Sequence, residues 1–264
     1  MFIRLIILII VSLGFLNSCG GGNTAENPQI PESNVPPPVS SGTGTIPVTE
    51  FYDVLMMGNS HTSPLPNILY KIFAVGQPAK SAEFRQAPGG MYLIDRANDT
   101  ANTDLLASKR WSHLILQALK YSSSGTIDYS TAGAEYFINS ANSLGIIPIL
   151  YPEHPTRGNT WESDYLFQLH SSVAMNTGAC VAPVGFVWED VMQTVTSNLY
   201  HVDGNHASAT GAFLTSLVLY HVISAGKASD LAFIPDVDVA EHIQEIMKAS
   251  VDRVAEIYPA CAHF

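Results

Sequence analysis

From residue 51 onwards, short strand-like runs alternate with segments whose apolar residues recur at helical spacing. The strand-like runs end near Met57, Ala87, Gln117, Tyr151 and Pro183. The segments of helical period cover residues 63–76, about 99–110, 131–144, 161–176, about 207–225 and about 238–257. Because strands that alternate with helices form βαβ units, the pattern predicts an α/β fold with a mostly parallel, five-stranded sheet and helices on both faces.

The first apolar run of the chain precedes this pattern and has the form of a targeting signal. Arg4 stands before an apolar stretch, residues 5–16, which is too short to span a bilayer as a helix but is typical of a signal-peptide core. The stretch is followed by a cysteine in the sequence LNSC, which resembles a bacterial lipobox. The resemblance implies a signal peptide over residues 1–18 and a lipid on Cys19. The alternative is an ordinary secretory signal that is cut near Ser18.

A segment of low apolar content follows the signal. Residues 19–50 are rich in Gly, Pro, Ser and Thr and cannot bury enough surface to fold, so they predict a disordered tether. The folded domain is therefore expected over residues 51–264, with no transmembrane helix in the mature chain. Gly20, in place of Asp after the lipobox cysteine, favours the outer membrane, so the expected location is the bacterial cell envelope, with the membrane reached through the lipid on Cys19.

Charge and cysteine content narrow the function classes. The formal net charge is −11, only 12 residues are Lys or Arg, and no basic run occurs, so a nucleic-acid partner is not expected. No CxxC or Cys/His zinc spacing is present, and no metal or other cofactor is expected. Cys180 and Cys261 remain as a possible pair, which either forms a disulfide in an oxidising compartment or leaves Cys180 simply buried.

Polar residues gather just after the predicted strands, where sites in parallel sheets form. They are Asn59, Ser60 and His61 after the first strand, Gly89 and Gly90 after the second, Gln117 after the third, and Glu153 and His154 after the fourth; Asp203 and His206 come just before a late helix. Acyl transfer by serine needs a hydroxyl, a base and a group that orients the base. Ser60, His206 and Asp203 are the candidates for these three catalytic roles. For Ser60 or Thr62 the alternative is to cap the following helix.

The remaining polar groups suggest the rest of such a site. An oxyanion needs hydrogen-bond donors, and the candidates are the backbone N–H of Ser60, a backbone N–H of Gly89 or Gly90, and the side-chain amide of Gln117. Asn59, His61, Glu153 and His154 are expected to line the substrate pocket.

These blocks resemble the SGNH hydrolases, also called GDSL-like esterases, over roughly residues 51–225. Gly58-Asn59-Ser60 matches the family's first block in its GNSF-type version, Gly89-Gly90 supplies the glycine of the second, and Asp203-Gly204-Asn205-His206 matches the closing Asp-x-x-His. The resemblance implies a flavodoxin-like, three-layer α/β/α sandwich and a serine esterase. It further suggests a short-chain O-acyl ester as substrate, on an acylated small molecule or a glycan, with acetylated carbohydrate as one form.

One block departs from the family. Its third block is Gly-x-Asn-Asp, whose Asn donates to the oxyanion, whereas this chain has Leu116-Gln117-Ala118-Leu119. Gln117 is therefore either a substitute donor, as the Leu-Gln of some relatives suggests, or a structural residue. The same departure keeps open a surface protein that binds a glycan without turnover. A lipase or thioesterase is a third possibility, although no long apolar groove is identifiable in the sequence.

Overall fold

The structure is a computed structural model that describes residues 45–196 and 198–262. The predicted signal peptide (1–18), the predicted lipidation site Cys19 and most of the predicted tether lie outside these residues. The last residues of that tether contact the domain: Ile46 packs against its core, and Lys80 Nζ donates to the carbonyl of Thr49 at 2.7 Å. Within the described ranges, no helix is both long and apolar enough to cross a membrane.

Five parallel strands form the central sheet. They are β1 (Tyr52–Met57), β2 (Ala82–Gln86), β3 (His113–Leu116), β4 (Ile147–Leu150) and β5 (Cys180–Val181), in the order β2-β1-β3-β4-β5. Each strand ends at or within two residues of the predicted position. The predicted α/β class and five-stranded sheet are therefore confirmed, and all of the pairings are parallel.

Helices cover both faces of this sheet. In the described ranges they are α1 (Leu65–Gly76), α2 (Leu93–Ala97), α3 (Thr100–Ala107), α4 (Ala132–Ser143), α5 (Glu162–Thr177), α6 (Val184–Met192), α7 (Ala209–Ser224) and α8 (Glu241–Ile257), with a 3₁₀ turn at Ala228–Asp230. Six of them correspond to the six predicted helical segments. The helices α2 and α6 were not predicted.

Alternating side chains of the strands divide the interior into two cores. Val54 and Met56 of β1 contribute to the core that includes α1, α6, α7 and α8, whereas Leu55 and Met57 contribute to the core beneath α2, α4 and α5. A strand that is buried on both faces is apolar at nearly every position, which explains the continuous runs in the sequence. Each fully buried large aliphatic side chain stabilises the fold by roughly 1.5–3 kcal/mol.

The cysteine pair closes the far edge of the domain. Cys180 in β5 and Cys261, which follows α8, form a disulfide across a sequence separation of 81 residues. Of the two alternatives for these cysteines, the structure has the bridged one.

Candidate active site

Ser60 lies on the turn that joins β1 to α1, with its side chain exposed. A Cβ added to Gly58 would come within 2.5 Å of Gln117 Oε1, so this position needs glycine for the turn to approach β3 closely. Thr62 is buried, and its hydroxyl donates to the carbonyl of Asn59 at 2.8 Å, which tightens the turn. The helix begins after Pro64 with no side-chain cap, so the capping alternative for Ser60 and Thr62 does not describe this turn.

The structure brings Ser60, His206 and Asp203 together across 146 residues of sequence. Ser60 Oγ lies 2.7 Å from His206 Nε2, and His206 Nδ1 lies 2.8 Å from Asp203 Oδ2. With Nδ1–H donating to the carboxylate, Nε2 of the neutral ring is free to accept the Ser60 hydroxyl proton. The three side chains therefore form a continuous hydrogen-bonded chain with the serine at its open end.

The Asp203 carboxylate is held by backbone as well as by His206. Its Oδ1 accepts the N–H groups of Asn205 and His206, both at 2.9 Å. These backbone donors, followed by the His206 ring, hold the pKa of Asp203 well below its usual range. The carboxylate consequently stays ionised while it orients the imidazole.

The loop that carries Asp203 and His206 is anchored at its base. An antiparallel bridge pairs Tyr200 with Ala207, and Gly204 at the tip has a φ of +72°, in the left-handed region that favours glycine. Directly after the loop, Ser208 caps α7 by accepting the N–H of Gly211 at 3.2 Å. This helix is buried along most of its length, so the loop is tied to the core.

A cavity of about 490 Å³ opens beside Ser60. It is lined by Asn59, Ser60, Ser63, Gln86, Ala87, Pro88, Gly89 and Gly90. The Ser60 turn thus forms one wall of the cavity, and the Gly89-Gly90 loop forms another. In the described part of the chain, no hydrogen bond engages the backbone N–H of Ser60, Gly89 or Gly90. These three donors are available to a ligand in the cavity.

Arg96, which was not among the predicted site residues, connects these two walls. The residue lies on α2 and its side chain is fully buried. Its guanidinium donates to the carbonyl of Gly58 at 2.6 Å, to the carbonyls of Pro88 and Gly89, and to Asn102 Oδ1. Burial lowers the pKa of Arg96. A lone arginine among the apolar residues of MYLIDRA was the only signal in the sequence.

Gln117 does not line the cavity. Its side chain is fully buried, its Oε1 accepts the backbone N–H of Asn59 at 2.8 Å, and its Nε2 donates to Glu153 Oε2 at 3.2 Å. The carbonyl end of the amide therefore faces the Ser60 turn and the N–H end faces Glu153. This arrangement favours the structural alternative over the oxyanion donor.

His61, Glu153 and His154, which were expected to line the substrate pocket, are not among the residues that line this cavity and instead contact one another, His206 and its loop. The His61 ring stacks on the His206 ring with a centroid distance of 4.8 Å, and His61 Nε2 lies 3.1 Å from Glu153 Oε2. His154 stacks on Trp188 at 3.8 Å and its Nε2 lies 2.9 Å from the carbonyl of Asn205. Of the four residues expected to line the pocket, Asn59 does so.

Burial shifts the protonation equilibria of His61, His154 and Glu153. It lowers the pKa of His61 to about 4, an effect that the neighbouring His206 reinforces, and it lowers the pKa of His154 to about 3. Both rings are therefore neutral near pH 7. Burial, with the nearby Glu162 carboxylate, raises the pKa of Glu153 to about 7.

Comparison with known proteins gives similarities at the level of the fold. A protein assigned to the SGNH hydrolases from Slackia heliotrinireducens superposes with a TM-score of 0.53 at 23% identity, over 67% of this chain and 100% of that chain. A DUF4886 family protein from Bacteroides uniformis gives a TM-score of 0.61 at 11% identity, over 79% and 96%. A catalytic mutant of an acetylxylan esterase from Geobacillus stearothermophilus gives 0.51 at 10% identity, over 66% and 96%.

At these identities the likeness establishes the fold alone: the chain has the three-layer architecture of SGNH hydrolases, as predicted. No protein-family model and no curated protein matches the sequence.

Proposed function

We propose that the chain is a serine esterase that hydrolyses short-chain O-acyl esters, with Ser60 as nucleophile, His206 as base and Asp203 as the group that orients the base. The observation that carries the proposal is the chain of hydrogen bonds from Ser60 Oγ through the His206 ring to Asp203, at 2.7 and 2.8 Å. A serine, histidine and aspartate in this connectivity form the arrangement that activates a hydroxyl for acyl transfer.

In the first half of the reaction, Ser60 Oγ attacks the acyl carbonyl carbon while its proton moves to His206 Nε2. The tetrahedral intermediate collapses, the bond from the acyl carbon to the alcohol oxygen breaks, and His206 returns the proton to the departing alcohol. In the second half, a water molecule attacks the acyl carbon of the acyl-serine while His206 takes a proton from the water. The bond from Ser60 Oγ to the acyl carbon then breaks, the carboxylic acid is released, and His206 returns the proton to Ser60 Oγ. Asp203 remains ionised throughout and stabilises the imidazolium.

The negative oxygen of each intermediate needs donors on the cavity side of Ser60. The backbone N–H groups of Ser60, Gly89 and Gly90 are donors that line the cavity and make no hydrogen bond within the described residues. Asn59 also lines the cavity, but its Oδ1 accepts the His61 N–H at 3.0 Å, so only its NH₂ end is free to turn towards a ligand. We assign the oxyanion site to these groups, and not to Gln117.

A small cavity supports a short acyl group. At about 490 Å³, with polar side chains and backbone among its lining, it offers no long apolar groove for a fatty acyl chain. One structural neighbour acts on acetylxylan by its name, and acetylated carbohydrate is the form of substrate that we propose for this chain too.

Hydrolysis of chromogenic esters tests the proposal. The purified chain should release p-nitrophenol from the acetate faster than from the butyrate, and from the butyrate faster than from the octanoate. Ser60→Ala should abolish all three activities, whereas Ser63→Ala, a change of another exposed hydroxyl that lines the same cavity, should retain measurable activity. A chain that hydrolyses none of these esters, nor an acetylated xylo-oligosaccharide, would contradict the assignment.

One observation favours a second candidate, a surface protein that binds a glycan with little or no turnover. The position of the family's donating Asn is taken by Gln117, whose amide is engaged with Glu153 and with the Asn59 backbone. Loss of one oxyanion donor typically costs roughly 10²–10³ in rate. Retention on an acetylated-glycan column that is the same for Ser60→Ala and for the wild type, together with no ester hydrolysis, would support this candidate.

We also propose that the mature chain is anchored to the bacterial envelope by a lipid on Cys19, and that the outer membrane is the membrane concerned. The lipobox-like sequence supports this, and so does the Cys180–Cys261 disulfide, because disulfides persist mainly in exported proteins. Cys19→Ala should release the protein from the membrane fraction or leave the signal peptide uncleaved. A variant that fractionates and migrates like the wild type would rule out the anchor.

A further inference from the structure

Glu153 contacts two residues, His61 and Gln117, each of which supports one of the candidate catalytic residues. Its Oε2 is 3.1 Å from His61 Nε2 and 3.2 Å from Gln117 Nε2. Only 14% of its side chain is exposed, and it is absent from the lining of the cavity. The burial of this carboxylate and its absence from the cavity lining point to a role through the two groups that it contacts, His61 and Gln117.

One branch leads to the base. Glu153 fixes the His61 ring, and this ring stacks on His206 at 4.8 Å with an angle of 18° between the planes. Behind it, the His154 ring meets His61 edge-on at 5.4 Å and is itself stacked on Trp188. The His206 imidazole therefore rests on a fixed aromatic surface, whose orientation depends on the bond from His61 to Glu153.

The other branch leads to the nucleophile. Gln117 donates to Glu153 through Nε2 and accepts the Asn59 N–H through Oε1 at 2.8 Å. Asn59 directly precedes Ser60, so this bond fixes the backbone from which the nucleophile projects. Because the two ends of an amide group are chemically different, the bond to Glu153 also decides which end of Gln117 faces the turn.

We propose that Glu153 is a positioning residue that holds His206 through His61 and holds Ser60 through Gln117. The inference rests on the proposed function, because it assigns Glu153 to the support of that same pair. A displacement of about 1 Å in a reacting group can cost roughly 10²-fold in rate, which makes such support significant for catalysis.

The charge of Glu153 determines how firmly it holds both partners. As a carboxylate, Oε2 accepts from Gln117 and from a His61 Nε2–H, and hydrogen bonds to an ionised acceptor are about twice as strong as neutral ones. Burial and the Glu162 carboxylate raise the pKa of Glu153 to about 7, while the bond from Gln117 opposes the rise. The other titratable groups that face it are His61, which is neutral near pH 7, and the hydroxyls of Tyr121 and Tyr151. The hydrogen bonds that Glu153 accepts from His61 and Gln117 should therefore weaken as the pH falls through about 7.

Four full-length variants test the inference by kinetics: Glu153→Gln, His61→Phe, the double variant, and Glu189→Gln as control. Glu189 is another glutamate whose pKa burial raises, and in the described residues it makes no hydrogen bond to His206 or to the Ser60 turn. With p-nitrophenyl acetate, Glu153→Gln and His61→Phe should each lower kcat about tenfold with KM unchanged. The fall in kcat of the double variant should be smaller than the product of the two single falls, because both substitutions disrupt the same contact between His61 and Glu153.

The pH dependence gives a signature that a purely structural role would lack. On the acid side, kcat/KM of the wild type should show a fall near pH 7 that follows the protonation of Glu153. Glu153→Gln should lack this fall, and Glu189→Gln should keep the wild-type profile. Thermal midpoints of all four variants, measured in parallel, separate loss of positioning from loss of fold.

A readout without turnover distinguishes this inference from the proposed function. The ¹⁵N signals of the imidazole rings of His61 and His206, assigned with the His61→Phe and His206→Asn variants, should shift in a step near pH 7 that Glu153→Gln removes. If the wild type hydrolyses no ester but shows this step, the esterase proposal fails and the positioning role stands. If Glu153→Gln keeps the wild-type kcat, pH profile and ring signals, or if the wild-type His206 signals show no step that depends on Glu153, the positioning role is wrong.

Discussion

Arg96 and Gly58 are joined by a hydrogen bond of 2.6 Å between a fully buried guanidinium and the carbonyl that precedes the Ser60 turn. The same guanidinium donates to the carbonyls of Pro88 and Gly89 in the loop that forms the facing wall of the cavity. A single cation therefore sets the separation of the two segments from which the proposed oxyanion donors project.

Arg96→Lys should lower kcat by about 10²-fold, because an ammonium group has three donors in another geometry and cannot bind all four oxygens that the guanidinium contacts. The thermal midpoint should fall as well, since buried carbonyls lose their partners. Arg85→Lys, at an exposed position of β2, is the matched control and should change neither quantity. A wild-type kcat in Arg96→Lys would show that the wall separation does not depend on the guanidinium.

Gln117→Ala should lower both the stability and kcat. The substitution leaves the Asn59 N–H without its acceptor and Glu153 without one donor, and an unsatisfied buried polar group costs about 1–3 kcal/mol. Urea denaturation and steady-state kinetics would measure the two effects, with Gln193→Ala at an exposed site as control. A loss of kcat with unchanged stability would instead restore Gln117 as a direct oxyanion donor.

Asp203→Asn should reduce kcat by about 10²-fold or more while it leaves KM nearly unchanged. An Asn side chain of the same shape can present an N–H to His206 Nδ1 and so favour the tautomer whose Nε2 carries a proton and cannot accept one from Ser60. His201→Ala is the comparison: this exposed ring lies 3.3 Å from the same Asp203 oxygen but outside the chain to Ser60, and its loss should change kcat by less than about threefold. Equal effects of the two substitutions would contradict the role given to Asp203.

Replacement of both Cys180 and Cys261 by Ser should destabilise the domain by about 4.5 kcal/mol, the chain-entropy value for a loop of this length. Denaturant titration should give the difference, and a thiol reductant should reproduce it in the wild type without any further effect on the variant. Well below the unfolding transition, kcat should stay within about twofold of the wild type, because neither cysteine contacts the candidate site. An equally stable variant would mean that the bridge does not constrain the unfolded chain.

The sequence predicted the parts of the fold that periodicity controls. Continuous apolar runs located β1, β3 and β4, because strands of a parallel sheet that are covered on both faces are apolar at nearly every position. The edge strand β2 is different, since exposed Glu83 and Arg85 alternate with partly buried residues. The helix α6 was missed because its run around Val187 and Trp188 is almost as apolar as a strand and follows Pro183 directly. With five residues, α2 is too short to show a helical period.

The candidate site was predictable only where residues stand at strand ends or in a short local motif. Ser60, Asp203 and His206 met those conditions, and the structure places them within hydrogen-bonding distance. The contacts of Arg96 and Glu153 could not be foreseen, because each depends on partners that only the tertiary fold brings together. Glu153 was expected at the pocket for its position after β4, but the same position turns its side chain towards Gln117 and His61.

The segment around Ala260 has a consequence for the outer border of the sheet. β5 is an edge strand of only two residues, and the N–H of Val181 donates to the carbonyl of Ala260 at 2.6 Å. Next to this contact, Cys180 anchors the same segment through the bridge to Cys261. The edge that would otherwise offer free backbone groups to a strand from another molecule is thus covered by the chain itself. Reduction of the bridge would loosen that cover and leave the edge open to strand pairing between molecules.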